Sequence, residues 1–340
     1  MQADELLAHL PAFLREQTGA AEVTLADVRL MTGGAVRETW RLDAALRFSD
    51  GREQAQQLVL MSYRPSESRA FGAAEEFRLL RAARAAGVPV PEALYVGEHA
   101  LSQPFYVMQR LQGESIGRRI VKEASLAGAR EALPRQLGRT LAAIHRVEWD
   151  VPELAFLRRP PAGASPALFE LDAIEQTFRE AAIEPHPAFE LAIRWLRLNA
   201  PAAPEISFVH GDFRNGNVLV GEEGLRAVFD WELAHVGDPL EDLGWICVRS
   251  WRFGVDALPV GGIGPREPFY DAYAEAAGRA VGREAVRWWE VYGNLRWGVF
   301  TLLMTRPFLD GQTASIELAS IGRRTAETEI ELLALIEEQS

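Results

Sequence analysis

The sequence predicts an α+β protein with its strands gathered at the front and its helices behind. Two observations carry this. Short β-prone apolar runs fill residues 27–31, 38–46, 57–63 and 104–111, separated by Gly, Pro and polar turn residues. Beyond residue 111 the apolar positions fall mostly at helical spacing, and strand-like runs return only around a polar turn at 208–230.

Residues 4–17 form an amphipathic helix with Leu6, Leu7, Leu10 and Leu14 on one side. Residues 27–31 are a strand, Thr32-Gly33-Gly34-Ala35 a turn, and residues 38–46 the returning strand. A hairpin is the default meaning of the glycine pair; the alternative is a loop whose backbone approaches a ligand closely, as only glycine permits. Residues 57–63 form the next strand, and the alanine-rich helix 70–86 is stopped by Gly87, Pro89 and Pro91. The strand 104–111 is broken by Gln112-Gly113-Glu114, which divides residues 1–110 from a mainly helical 111–340. Leu137, Leu141 and Ile144 bury a helix in the second part, and His145 on it reads as structural. A proline-rich connection at 151–166 precedes helices at 174–184 and 187–198. A helix at 242–248 leads into a Gly/Pro-dense loop at 251–268. The helix 283–304 carries Trp288, Trp289, Tyr292, Trp297 and Phe300, an aromatic run that reads as core, and 316–336 reads as one closing helix.

The chain has 340 residues, a formal net charge of −12 and a pI near 5.2, which argues against nucleic acid as a partner because phosphate backbones need clustered Lys and Arg. One cysteine, Cys247, excludes an intrachain disulfide and suits a reducing compartment. The N-terminal residues are acidic, without the basic start and apolar centre of a signal peptide, and no apolar run is long enough to span a bilayer. The expectation is a soluble, cytoplasmic protein with neither membrane nor nucleic-acid partners. Its oligomeric state is left open.

Chemistry concentrates in Phe208-Val-His-Gly-Asp-Phe-Arg-Asn-Gly-Asn-Val-Leu-Val220, a strand, a polar turn and a second apolar run. Asp212 opens the turn and Asn217 closes it; Asp230 follows another apolar run in Ala227-Val-Phe-Asp-Trp-Glu232. Three oxygen-bearing side chains at strand ends suit phosphoryl transfer: one carboxylate orients an acceptor hydroxyl, while an amide oxygen and a second carboxylate hold Mg²⁺ on nucleotide phosphates.

The segment His210-Gly-Asp-Phe-Arg-Asn-Gly-Asn217, with Asp230-Trp-Glu232 and Gly237-Asp-Pro-Leu-Glu-Asp-Leu-Gly244, resembles the catalytic loop and metal-binding segment of the aminoglycoside phosphotransferase family of kinase-like enzymes. The resemblance implies a two-lobed protein-kinase-like fold, a small antiparallel-sheet N-lobe and a mainly helical C-lobe, with ATP and Mg²⁺ as cofactors. The implied reaction is transfer to a hydroxyl of a small molecule. Asp212 is then the catalytic base, His210 a brace of the loop, and Asn217 and Asp230 the Mg²⁺ ligands, with Glu232 reaching a second metal or its waters. Arg214 faces phosphate, an acidic substrate, or solvent. Asp242 anchors the catalytic turn through backbone N–H groups, and Asp238 starts the following helix.

The stretch TGGAVRETW at 32–40 resembles the family's nucleotide loop, which brings Gly33 and Gly34 to the phosphates; Arg37 either faces phosphate there or is a solvated surface arginine. Met61 stands where relatives place Arg or Lys, so either Arg64 or Arg37 substitutes, or nucleotide binding is weakened. Glu76 is either the carboxylate partner of that cation or a solvated helix residue. Backbone groups of Gln109 and Leu111 fall at the adenine hinge. The combined motifs look nearest to the branch that includes the kinase-like domain beside some acyl-CoA dehydrogenases, which makes a hydroxyacyl-CoA one candidate acceptor; aminoglycosides, choline-like alcohols and sugars stay open. A second reading, resting on Met61, is a pseudokinase that binds nucleotide or a partner without turnover.

Overall fold

The computed structural model describes residues 1–33, 37–63, 71–202 and 205–338. The chain divides into two compact units. Met1–Gly113, Asp150–Phe156 and Arg226–Leu233 make the first; Glu114–Trp149, Leu157–Leu225 and Ala234–Ser340 make the second.

The first unit runs α1 (Ala3–Thr18), β1 (Glu22–Gly33), β2 (Arg37–Arg47), β3 (Glu53–Tyr63), α2 (Ala73–Ala85), β4 (Ala93–Gly97) and β5 (Phe105–Gln109). The strands form one antiparallel sheet in the order β1-β2-β3-β5-β4. Period-two alternation on β2 turns Trp40, Leu42, Ala44 and Leu46 to one face, where they meet Leu58, Leu60, Phe105 and Val107 and the Leu6, Leu10 and Leu14 stripe of α1. The helix ends on Gly19 in the left-handed region, φ 71°, whose N–H donates to the Arg15 carbonyl.

Two departures from the sequence expectation have local causes. β1 begins at Glu22 rather than at residue 27, because a register shift between Ala26 and Arg29, with Asp27 at φ 50°, interrupts the pattern that marks a strand. β4 was not expected; its five residues, four of them half-exposed, form an edge strand too short to show alternation.

The second unit contains α3 (Gly117–Lys122), α4 (Ala127–Ile144), α5 (Pro166–Ala181), α6 (Pro187–Leu198), β6 (Ser207–Val209) and β7 (Val218–Gly221). After β8 (Gly224–Val228), along which the chain re-enters the first unit at Arg226, it continues with β9 (His235–Gly237), α7 (Leu240–Trp245), α8 (Arg266–Ala277), α9 (Arg283–Leu309), α10 (Ile316–Gly322) and α11 (Thr325–Glu337). β6 pairs antiparallel with β9. The core lies among α5, α6, α9 and α11, where Phe178, Phe189, Leu196, Trp288, Trp289, Tyr292, Leu295 and Leu332 are buried. Trp288, Trp289 and Tyr292 are thus core, whereas Phe300 is half-buried beside it and Trp297 is half-buried against a separate cluster of Trp245, Val248 and Trp251.

Three expectations are corrected here. α5 starts at Pro166, not at residue 174: Ser165 caps it, accepting the Leu168 N–H, and Pro166 takes the first helical position, where a missing N–H costs nothing. The span 251–268 does not run as loop throughout, since α8 begins at Arg266 and packs so closely on α4 that a Cβ at Gly138 would lie 2.3 Å from the Phe269 carbonyl oxygen. The closing segment is two helices, not one. Gly322 presses against Thr305 of α9, a Cβ there falling 2.2 Å from its Oγ1, and the chain breaks at 323–324 so that α10 and α11 can each dock on α9. No helix among the described residues is long and apolar enough to cross a membrane.

Candidate active site

In the second unit, β6 delivers the chain into the turn 210–217 and β7 takes it away. Asp242, in the first turn of α7 and fully buried, holds the start of this turn: its carboxylate accepts the N–H groups of His210 at 2.8 Å and Gly211 at 2.9 Å. His145 Nε2 lies 3.2 Å from the same carboxylate, and His145 Nδ1 lies 2.9 Å from the Tyr273 hydroxyl. Burial alone would push Asp242 up, but these donors, His145 foremost, hold it below the usual carboxylate range. His210 braces the turn from within, its Nδ1 accepting the Asp212 N–H at 3.1 Å.

Three side-chain donors converge on Asp212. Oδ1 accepts from Trp245 Nε1 at 2.7 Å and from Arg214 Nε at 3.1 Å, and Oδ2 accepts from Asn217 Nδ2 at 2.5 Å. Asn217 Nδ2 also donates to the Asp212 carbonyl at 3.0 Å. Two acceptors can be met only by the amide NH₂, so its orientation is fixed and its oxygen is left as the acceptor. Gly216, at φ 111°, makes room for the Arg214 guanidinium, which a Cβ there would approach to 2.7 Å.

Sequence reasoning missed Trp245 and Arg296. Arg296, buried on α9, donates to the Gly211 carbonyl at 2.9 Å and to Glu241 at 3.1 Å, and its guanidinium stacks 4.7 Å above the Trp245 ring. His145, read as structural, does its structural work in this brace, against Asp242. Glu170, His235 and Glu241 converge closely enough to suggest a metal site. The Glu241 and Glu170 carboxylates overcome the burial that would lower His235 and push it up to about 9, which favours the protonated ring. Arg158 and Arg296 neutralise the two acids, and the cluster is an ion-pair network.

In the first unit, Arg37 opens β2 and donates to Asp230 Oδ1 at 2.9 Å. Asp230 sits at φ 62°, a left-handed conformation that is uncommon outside glycine and that Asp tolerates better than most residues. Glu76 on α2 is buried and accepts the hydroxyls of Tyr63 and, at 3.2 Å, Tyr106. Burial pushes Glu76 up, opposed by the charge of Arg37. Burial would lower Arg37, but Asp230 and Glu76 raise it above the ordinary value. Arg37 is thus the cation set among these acids, and Met61 is a buried strand residue.

Gly33 ends β1 in register with Glu38, while Gly34 and Arg64 lie outside the described residues. The Gln109 N–H donates to the Glu92 carbonyl at 2.9 Å; Leu111 follows β5, and Glu232 is exposed. The structure therefore brings His210, Asp212, Arg214 and Asn217 together in one unit, and Arg37, Glu76 and Asp230 in the other.

Both the sheet-bearing first unit and the helical second unit are those of kinase-like phosphotransferases. The chain superimposes on a putative aminoglycoside phosphotransferase from Ralstonia eutropha with a TM-score of 0.76 at 20% identity, covering 97% of this chain and 98% of that one. It superimposes on a choline/ethanolamine kinase family protein from Mesorhizobium loti with a TM-score of 0.64 at 19% identity, covering 99% and 95%. The sequence matches the phosphotransferase enzyme family over residues 27–289, and the chain belongs to that family. Among curated relatives, acyl-CoA dehydrogenase family member 10 of Mus musculus is 33% identical over 52% of this chain and 16% of its own length. Acyl-CoA dehydrogenase family member 11 of Gallus gallus is 31% identical over 75% of this chain and 31% of its own length. The chain spans a third or less of either relative.

Proposed function

We propose that this chain is an ATP- and Mg²⁺-dependent phosphotransferase that moves the γ-phosphate to a hydroxyl of a small molecule. The observation that carries the reading is the Asp212 carboxylate, fixed by three side-chain donors at the end of a braced turn, with Asn217 locked against it. Asp212 orients the acceptor hydroxyl and takes its proton as bond formation completes, work that suits a loose transition state. The Asn217 amide oxygen and the Asp230 carboxylate are each a hard oxygen donor of the kind Mg²⁺ prefers, so each suits the role of a ligand to the ion. When bound, Mg²⁺ neutralises phosphate oxygens and aligns the nucleotide. Arg37 serves as the phosphate-facing cation in place of the missing basic residue at Met61, and in the ligand-free chain it neutralises Asp230. Its presence weakens the pseudokinase reading.

A solved neighbour, aminoglycoside phosphotransferase APH(4)-Ia, was obtained in ternary complex with AMP-PNP and hygromycin B, which supports nucleotide binding by this fold. The acyl-CoA dehydrogenase names of the curated relatives favour a hydroxyacyl-CoA as acceptor over an aminoglycoside. The test is ADP release from Mg·ATP against hydroxyacyl-CoAs, aminoglycosides and amino alcohols. Acceptor-dependent release that Asp212→Asn abolishes is the expected result. A wild-type protein that neither turns over nor binds ATP would overturn the reading.

A further inference from the structure

We propose that the second unit holds a subsite for an oxyanion carried by the acceptor, gripped by Arg118 and Lys122 in a cavity of about 520 Å³. The purpose assigned to it rests on the phosphotransfer reading; the anion site itself does not.

The cavity is basic in an acidic chain. Lys122 is the only lysine among the 36 basic residues of a protein whose net charge is −12. Three acids line the cavity, and each is already engaged: Asp256 and Glu331 by Arg249 at 2.8 and 3.3 Å, and Glu327 by Arg324 at 3.1 Å. Arg118 and Lys122, four residues apart on α3, have no ion-pair partner among the described residues. Their neighbour Arg119, which does not line the cavity, is bound to Glu114. Two unneutralised cations one helical turn apart present a paired donor surface that a phosphate or carboxylate satisfies.

The cavity is also built onto the catalytic turn. Gly117, at the start of α3, is wedged between the Phe253 ring and the Asn215 carbonyl, with a Cβ there falling 2.7 and 3.0 Å from them. Phe253, a lining residue, is held at φ 48°, a left-handed backbone that the surrounding contacts must enforce. Asn215 Nδ2 donates to the carbonyls of Trp251 and Gly261, tying the loop that forms the cavity wall to the turn that carries Asp212. Arg214 stacks 4.6 Å over Trp251, Trp251 packs 4.8 Å from Trp297, and Arg324 of the cavity lies 5.8 Å over Trp297. An acceptor anchored at α3 by its charged end is thereby referenced to the catalytic turn through rigid aromatic packing, which converts binding energy into orientation of the reacting hydroxyl.

The unique lysine gives a direct readout. Acetylation of Lys122 by an amine-reactive ester, followed by peptide mass spectrometry with the N-terminal amine as reference, is measured in phosphate, acetate and chloride at equal ionic strength and pH. Saturable protection in an oxyanion, about threefold or more relative to chloride, is expected because a bound anion is charge-assisted where bulk salt only screens. Protection by phosphate alone identifies a phosphoryl group as the ligand, and protection by acetate as well admits carboxylates. Arg118→Glu is expected to abolish the effect and Arg118→Lys to retain it. Equal reactivity in all three salts, or unchanged protection in Arg118→Glu, overturns the subsite. Turnover is not required, so a failed kinase assay with intact protection rejects the phosphotransfer reading and leaves the anion site standing. With an active enzyme, Arg118→Gln should raise KM for anionic acceptors about tenfold, the loss of one charge-assisted contact, with KM for ATP as the reference.

Discussion

Asp212 accepts hydrogen bonds on both carboxylate oxygens, which fixes the carboxylate's position. Replacing Asp212 with Asn keeps the shape and removes the proton acceptor; kcat should fall about 10²–10⁴-fold while a thermal melt shows the fold intact. Trp245→Phe keeps an aromatic ring near Arg296 but removes the indole N–H together with part of the bicyclic ring. With one donor lost, kcat should drop about tenfold at nearly constant KM for ATP, which steady-state kinetics would show. At this scale the sequence was legible where chemistry is local. Asp212 and Asn217 lie in one turn and announce themselves by spacing. Trp245, Arg296 and His145 do not, because the groups they serve lie 33, 85 and 97 residues away, and nothing in an indole, a guanidinium or an imidazole on a helix names so distant a partner.

α7 and α9 form the frame on which the catalytic turn is hung. α7 supplies Asp242 and Trp245, and α9 reaches through with Arg296. The helices approach so closely at Gly244 that a Cβ would lie 2.6 Å from the backbone of Trp289. Gly244→Ala should therefore cost about 1–3 kcal/mol by overpacking, read from denaturant unfolding, and lower kcat by tilting α7. Asp242→Ala strands two backbone donors and His145 in the interior, and should destabilise by about 3–5 kcal/mol. Helices with long apolar stripes were readable from period alone. α8 was not, since its loop-like Gly/Pro prelude masked its start, and the break between α10 and α11 falls beside Gly322, a single glycine that the sequence reading passed over and that packs against Thr305.

Across the molecule, buried ionisable groups set a stability window. His235, raised in the fold from its ordinary 6.5 to about 9, contributes fully below the unfolded value and is lost as pH rises through about 9. Asp242, depressed in the fold, contributes above the ordinary carboxylate value and is lost as pH falls through its lowered one. The melting temperature should thus peak in mildly acidic buffer and decline between about pH 6.5 and 9, an effect of order 3 kcal/mol that His235→Gln flattens. A melting curve that is level across that range would contradict the assignment. The class of the fold was legible because strands and helices segregate along the chain. The network around His235 was not, because Glu170, Glu241 and Arg296 come from three helices that only the fold assembles.

The first unit is assembled from three separate stretches, with Val228 donating to the Pro89 carbonyl and Asp230 receiving Arg37. Synthesis is vectorial, so the five-strand sheet leaves the ribosome roughly ten seconds before the segment that completes it. During that interval Arg37 lacks its acid and the Pro89 carbonyl its donor. The nascent sheet is then the segment of this protein with most call on a chaperone, and a stop codon after Gly113 would yield a permanently unfinished domain.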